Sequence, residues 1–118
     1  MEFTVTRGIA EPISREIIIA ETGDALDMLA TCSYLGADAA ILYEENLTPD
    51  FFELRTRLAG DILQKFSQYG FRVAIVGDFG KYESKSLRDF IRESNRMGHI
   101  LFVATAEDAR ERLSEKIG

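Results

Sequence analysis

The chain has 118 residues, 46% of them apolar and 29% charged, the balance of an ordinary globular domain long enough to bury a core of its own. A net charge of −6 with no cluster of Lys and Arg argues against a nucleic-acid partner, because phosphate contacts need concentrated positive charge. A single cysteine, Cys32, excludes an internal disulfide, and no apolar run reaches the length of a membrane span. The opening MEFTVTRG lacks the apolar core of a secretory leader, so a cytoplasmic protein that does not insert into membranes is expected.

Glu2 to Thr6 alternates polar and apolar, with Phe3 and Val5 on one face, as a half-buried strand does. Gly8 and Pro12 break the pattern. Ile13 to Ala20, carrying Ile17, Ile18 and Ile19, is the expected second strand, and the two should form an antiparallel edge pair. Thr22 is the expected N-cap of a helix that packs through Ala25, Leu26, Leu29, Ala30 and Ser33 and ends at Gly36. Cys32 lies in that helix with no neighbour to activate its thiol, and reads as a small buried hydrophobe. Asp38 to Tyr43 (DAAILY) is a third, apolar strand, and Glu44 to Leu47 is a loop.

From Thr48 to Tyr69 the sequence predicts one long helix. Thr48 suits the N-cap, Pro49 the first position, Asp50 the positive end of the dipole, and Gly70 the left-handed stop. At about 100° per residue, Phe51, Phe52, Leu54, Leu58, Ala59, Ile62, Leu63, Phe66 and Tyr69 share one apolar arc. Arg55 falls inside that arc, roughly 40° from Phe51, and a guanidinium held there needs a carboxylate or a ligand anion. Three readings of Arg55 stay open: a buried structural ion pair, an anion-binding arginine in a cleft, or a side chain that reaches solvent because the wheel is off.

Phe71 to Val76 reads as a strand covered on both faces. Gly77-Asp78-Phe79-Gly80-Lys81 is a polar turn. Ser84 or Ser86 caps the next helix, with Leu87, Phe90, Ile91 and Ser94 inward, Arg88, Asp89, Arg92 and Asn95 outward, and Gly98 as its stop. His99 to Val103 is the last strand. Thr105 with Asp108 caps a final helix with spine Ala109, Leu113 and Ile117, and with Glu107, Arg110, Glu111 and Lys116 outside.

Strands alternating with helices predict a single α/β domain over residues 1–118. Its sheet is mostly parallel, with four to five strands and flanking helices, in the order β-β-α-β-α-β-α-β-α with the N-terminal hairpin at one edge. Ligands of such sheets bind outside the carboxyl ends of the strands. That edge should carry Glu44, Glu45, Asn46, Asp78, Lys81 and Thr105. Gly77 to Gly80 lacks the pattern of a phosphate loop, His99 is the only histidine, and there is no His/Cys cluster for zinc; no cofactor or metal is expected. Three functions remain, in this order. The first is a non-enzymatic regulatory or protein-interaction module, as a monomer or a homodimer, with a patch around Phe79, Tyr82 or Met97 for a partner. The second is a binder of a small ligand or anion through Arg55 and Asp78, with Glu44, Glu45, Asn46 and Lys81 nearby. The third is a small acid–base or hydrolytic enzyme using Asp78 with Glu44 or Glu45, which requires a carboxylate with a raised pKa.

The run FFELRTRLAGDILQKFSQYGFRVAIVGDF, followed by SKSLRDFIRESNRMGHILFVATAEDA, resembles the bacterial family known as domain of unknown function 4180. The resemblance covers nearly the whole chain, is densest from Phe51 to Asn95, and implies no activity. The order of elements is also similar to that of the STAS domains, the anti-sigma-factor antagonist fold, an analogy of topology alone. STAS regulators place a phosphorylatable serine at the start of the helix after the third strand. The matching stretch here is Asn46-Leu47-Thr48-Pro49, which makes Thr48 a candidate phosphosite but lacks an Asp-Ser pair.

Overall fold

In a computed structural model of the chain, which describes residues 1–115, five strands form one sheet in their order along the sequence. They are β1 (Phe3–Thr6), β2 (Ile9–Pro12), β3 (Ala39–Tyr43), β4 (Arg72–Val76) and β5 (Ile100–Val103). β1 and β2 are antiparallel, and β2 through β5 are parallel. The helices are α1 (Thr22–Tyr34), α2 (Leu58–Tyr69), α3 (Lys85–Met97) and α4 (Ala106–Ser114). The expected α/β architecture and element order are found.

Consecutive parallel strands joined by right-handed crossovers put every crossover helix on the same face of the sheet. Met28 and Cys32 of α1, Ile62 and Phe66 of α2, and Leu87 of α3 accordingly share one core with Ala40, Leu42, Val73, Ile75, Ile100 and Phe102. Neighbouring strand residues point the other way. There Ala109 and Leu113 of α4 pack on Ile9, Ala39, Ile41, Ala74, Leu101 and Val103. One short helix thus covers the second face, and Arg72 fastens it. The guanidinium donates to the carbonyls of Gly98 (3.1 Å), Arg112 (3.3 Å), Leu113 (3.4 Å) and Glu115 (2.9 Å). It thereby satisfies and neutralises the negative end of α4. Ile117 and Lys116 lie outside the described residues.

Four local expectations change. The partner of β1 is Ile9–Pro12, not Ile13–Ala20, because Arg7 and Gly8 adopt positive φ (53° and 79°) and close a two-residue hairpin turn. Ile13–Ala20 runs outside any strand, and its only ladder contact is a single bridge from Ile19 to Leu47. The long helix from Thr48 does not form either. Pro49–Phe52 and Leu54–Thr56 are separate 3-10 turns, and α2 begins after Arg57, which is left-handed at φ 66°. Phe51 and Phe52 pack edge to face on one another (5.1 Å) in the same core, Phe51 toward Phe102 (6.4 Å) and Phe52 stacked on Tyr82 (5.1 Å). The Thr56 hydroxyl holds the break, 2.8 Å from the carbonyls of both Asp50 and Glu53. In α1, Glu21 rather than Thr22 occupies the N-cap, and Ser33 is exposed while Met28 is buried.

Asn95 does not point out. Its Oδ1 accepts the Phe102 N–H (2.6 Å), its Nδ2 donates to the Phe102 carbonyl (3.3 Å), and Ser94 Oγ donates to the Ile100 carbonyl (2.6 Å). These are the groups of β5 that face away from β4, so α3 seals this sheet edge with side chains. Asn95→Val is expected to cost about 2 kcal/mol, read as a lowered urea midpoint, and to make the protein aggregate with rising concentration.

Candidate functional site

β3 and β4 end beside one another, and the loops that leave them meet over the carboxyl end of the sheet. After Tyr43 the chain turns at once into a 3-10 turn, Glu44–Asn46, which separates the directions of three adjacent polar residues. Glu44 reaches toward the loop after β4. Its carboxylate pairs with Lys81 Nζ (2.7 Å), accepts the Tyr82 hydroxyl, and is bonded by the Asp78 backbone N–H. A Cβ at Gly77 would stand 2.7 Å from Glu44 Oε1 and 2.9 Å from Phe79 Cζ, so a larger residue would displace these side chains. Beneath this knot lies an aromatic stack, with Phe52 parallel to Tyr82 and Phe79 edge-on to Phe102 at 5.1 Å.

The knot forms one wall of an open cleft of about 400 Å³. Buried Leu47 and Phe52 lie at its base, and Ile17, Glu45 and Lys81 at its rim. Ile17 is 54% exposed, a large apolar residue left in solvent.

Of the residues singled out in the sequence, Glu44, Glu45 and Lys81 line the cleft. Asp78 is exposed and adjoins it through its N–H to Glu44. Asn46 turns away and is buried. It accepts the Tyr43 N–H (2.9 Å) and donates to the carbonyls of Ser14 (3.0 Å) and Glu16 (2.8 Å). Its own carbonyl takes the N–H groups of Ile18 (2.8 Å) and Ile19 (3.1 Å). Asn46 therefore fixes the course of Ser14–Ile19, including the position of Ile17 at the rim. Thr48 stands at the N-cap of the Pro49–Phe52 turn without a side-chain cap bond, and its N–H donates to the Ile19 carbonyl (2.9 Å). Arg55 is not in an apolar arc: its side chain is 88% exposed, beside Glu53 at 3.4 Å, and it does not line the cleft. Thr105 caps α4 through the Asp108 N–H (3.0 Å). Sequence reasoning missed Ile17, Leu47 and Phe52 as cleft residues. The one available signal was Ile17-Ile18-Ile19, an apolar run too long for a segment with one buried side.

Burial pushes the Glu44 carboxyl up. The hydrogen bonds from Lys81 and Tyr82 and the Lys81 charge outweigh that and hold it below its ordinary 4.5. Burial and then the Glu44 carboxylate push the Tyr82 hydroxyl up, and the bond to Glu44 raises Lys81. A carboxyl whose pKa is depressed in the fold adds stability above its unfolded value, and this is lost as pH falls through the folded value. Glu44→Gln is therefore expected to flatten the loss of stability on acidification below about pH 4.5, measured as melting temperature against pH. Burial pushes the Cys32 thiol up to about 11, which leaves it protonated and inert at neutral pH.

Among the described residues, no group of three or more His, Cys, Asp or Glu side chains could hold a metal ion, and no helix is long and apolar enough to cross a membrane. The fold and this edge define an α/β domain with a mixed five-stranded sheet and an internally paired carboxylate over its strand ends. The chain belongs to the family described as domain of unknown function (DUF4180), whose model matches residues 5–113. No curated protein and no solved structure matches it.

Proposed function

We propose that this chain is a non-enzymatic regulatory module that binds a protein partner, and that the strand-end cleft receives a partner segment bearing a basic side chain next to an apolar one. The observation that carries the reading is the pairing of Glu44. Its carboxylate is occupied by Lys81, Tyr82 and the Asp78 N–H and is held ionised, the reverse of the raised pKa that acid–base catalysis at neutral pH asks of a carboxylic acid. What the cleft offers to a newcomer is apolar surface at Ile17 and acidic charge at Glu45, with exposed Asp50, Asp78 and Glu83 on the same loops. Lys81, the basic group at the rim, is already neutralised by Glu44. The anion-binding alternative is weaker for the same reason, and because Arg55 lies outside the cleft. A cytoplasmic setting is part of this proposal, and the analogy of element order to STAS regulators favours the regulatory reading.

The test is an amide chemical-shift titration of labelled protein with short peptides that pair Lys or Arg with Leu or Ile, against peptides of equal apolar content carrying Asp or Glu, and against inorganic phosphate. The expected result is shifts at Ile17, Glu45, Leu47, Lys81 and Tyr82 with the basic peptides alone, abolished by Glu45→Lys. Equal response to both peptide sets, or shifts away from the cleft, would overturn the proposal. Shifts at Lys81 with phosphate would put the anion-binding reading in its place.

A further inference from the structure

The two edges of the sheet are finished differently. At β5 the outward backbone groups are taken by Asn95 and Ser94. At β1 nothing comparable exists among the described residues. The Ile13 N–H donates to the Glu2 carbonyl (3.1 Å), which fixes the alternation of the antiparallel ladder: Glu2, Thr4 and Thr6 turn their backbone groups toward β2. Phe3 and Val5 therefore turn theirs outward, and among the described residues no hydrogen bond reaches them. The strand between them has neither a charge nor a proline, the two devices that commonly keep an edge from pairing. Phe3 and Val5 are also half-buried on the helix-bearing face, so each keeps apolar surface in solvent beside its free backbone.

The charges flanking the strand select a partner. Glu2 precedes it and Arg7 follows it, both exposed. An antiparallel copy of the same strand, related by a two-fold axis through Thr4, would set Phe3 opposite Val5 of the second copy and Val5 opposite its Phe3. Each pair would exchange N–H and C=O bonds, and Glu2 would stand opposite Thr6 of the other molecule, diagonal to its Arg7. A parallel copy would put Glu2 by Glu2 and Arg7 by Arg7. The two-fold arrangement is also the one that closes, using each free edge once and leaving none for further addition. We infer that the free edge of β1 is a self-association surface, on which a second copy of this chain pairs antiparallel about Thr4 to make a continuous ten-stranded sheet.

This surface shares no residue with the strand-end cleft and does not depend on the function proposed for it. The test is sedimentation equilibrium of the intact chain over a concentration series, with amide hydrogen exchange at the same concentrations. The expected result is a monomer–dimer equilibrium in which the Phe3 and Val5 amides gain protection as concentration rises. Val5→Pro removes one outward N–H and no bond to β2, and should weaken dimerisation by roughly tenfold or more. Should that variant fail to fold, charge exchange decides: Glu2→Arg alone weakens the dimer, and adding Arg7→Glu restores it. A monomer at every concentration overturns the inference. So does a dimer indifferent to these changes, or one in which Phe3 and Val5 stay unprotected.

Discussion

Asn46→Asp is expected to cost about 4 kcal/mol, a large fraction of the stability of a domain this size. The replacement keeps the shape of the side chain and changes only its chemistry. Asn46 Nδ2 serves the carbonyls of Ser14 and Glu16, and Oδ1 serves the Tyr43 N–H, all in a fully buried site. An ionised aspartate keeps the acceptor and turns a second oxygen on two carbonyls, an uncompensated buried charge. Protonation gives back one donor, so the loss should shrink as pH falls. Asn46→Ala removes the amide without adding charge and should cost about 3 kcal/mol, with no such pH dependence. Chemical denaturation at neutral and mildly acidic pH, with both variants beside the parent, separates these outcomes. Because Asn46 also places Ile17 at the cleft, peptide binding should weaken with either change even where the variant stays folded.

Arg72→Met is the second large effect, about 3 kcal/mol. Methionine fills the space of the stem but leaves the last carbonyls of α4 and that of Gly98 without a donor. α4 has nine residues, too few to hold a helix by propensity, and among the described residues no other helix packs on its face of the sheet. The loss should therefore be local first: faster exchange of the α4 amides, and binding of a hydrophobic dye as Ile41, Ala74 and Leu101 lose their cover. Arg72→Lys should recover only part of it, since one ammonium cannot span the positions that the guanidinium reaches. Uniform loss of protection across all four helices would contradict this account of Arg72.

Where each element carries its own instruction, the sequence could be read. The apolar runs at β3, β4 and β5 are strands, and Gly70 and Gly98 end their helices at left-handed φ. Ser84 and Thr105 cap as their types suggest. Reading failed where the decisive partner is distant. Ile17-Ile18-Ile19 has the composition of a strand, but Asn46, some thirty residues away, takes its backbone bonds. The wheel that put Arg55 inward assumed an unbroken helix, and the chain instead breaks at Arg57, which is left-handed at φ 66°. Asn95 read as solvent-facing because its partner is the free side of β5. Arg72 had a legible signal that went unused: a cation in an apolar strand must find acceptors on the covered face. Topology puts Glu44, Glu45, Asn46, Asp78, Lys81 and Thr105 at the strand ends, because parallel strands deliver their loops to one edge; of these Glu44, Glu45 and Lys81 line the cleft, Asn46 turns inward and Thr105 caps α4.

The measurement that bears most directly on the non-enzymatic reading is a carbon-detected pH titration of the Glu44 side-chain carboxyl. The account predicts a midpoint below the ordinary 4.5, moving upward in Lys81→Met as the pairing is removed. A midpoint near neutrality would contradict it, and would make Glu44 a proton carrier at the strand ends and the protein a candidate enzyme.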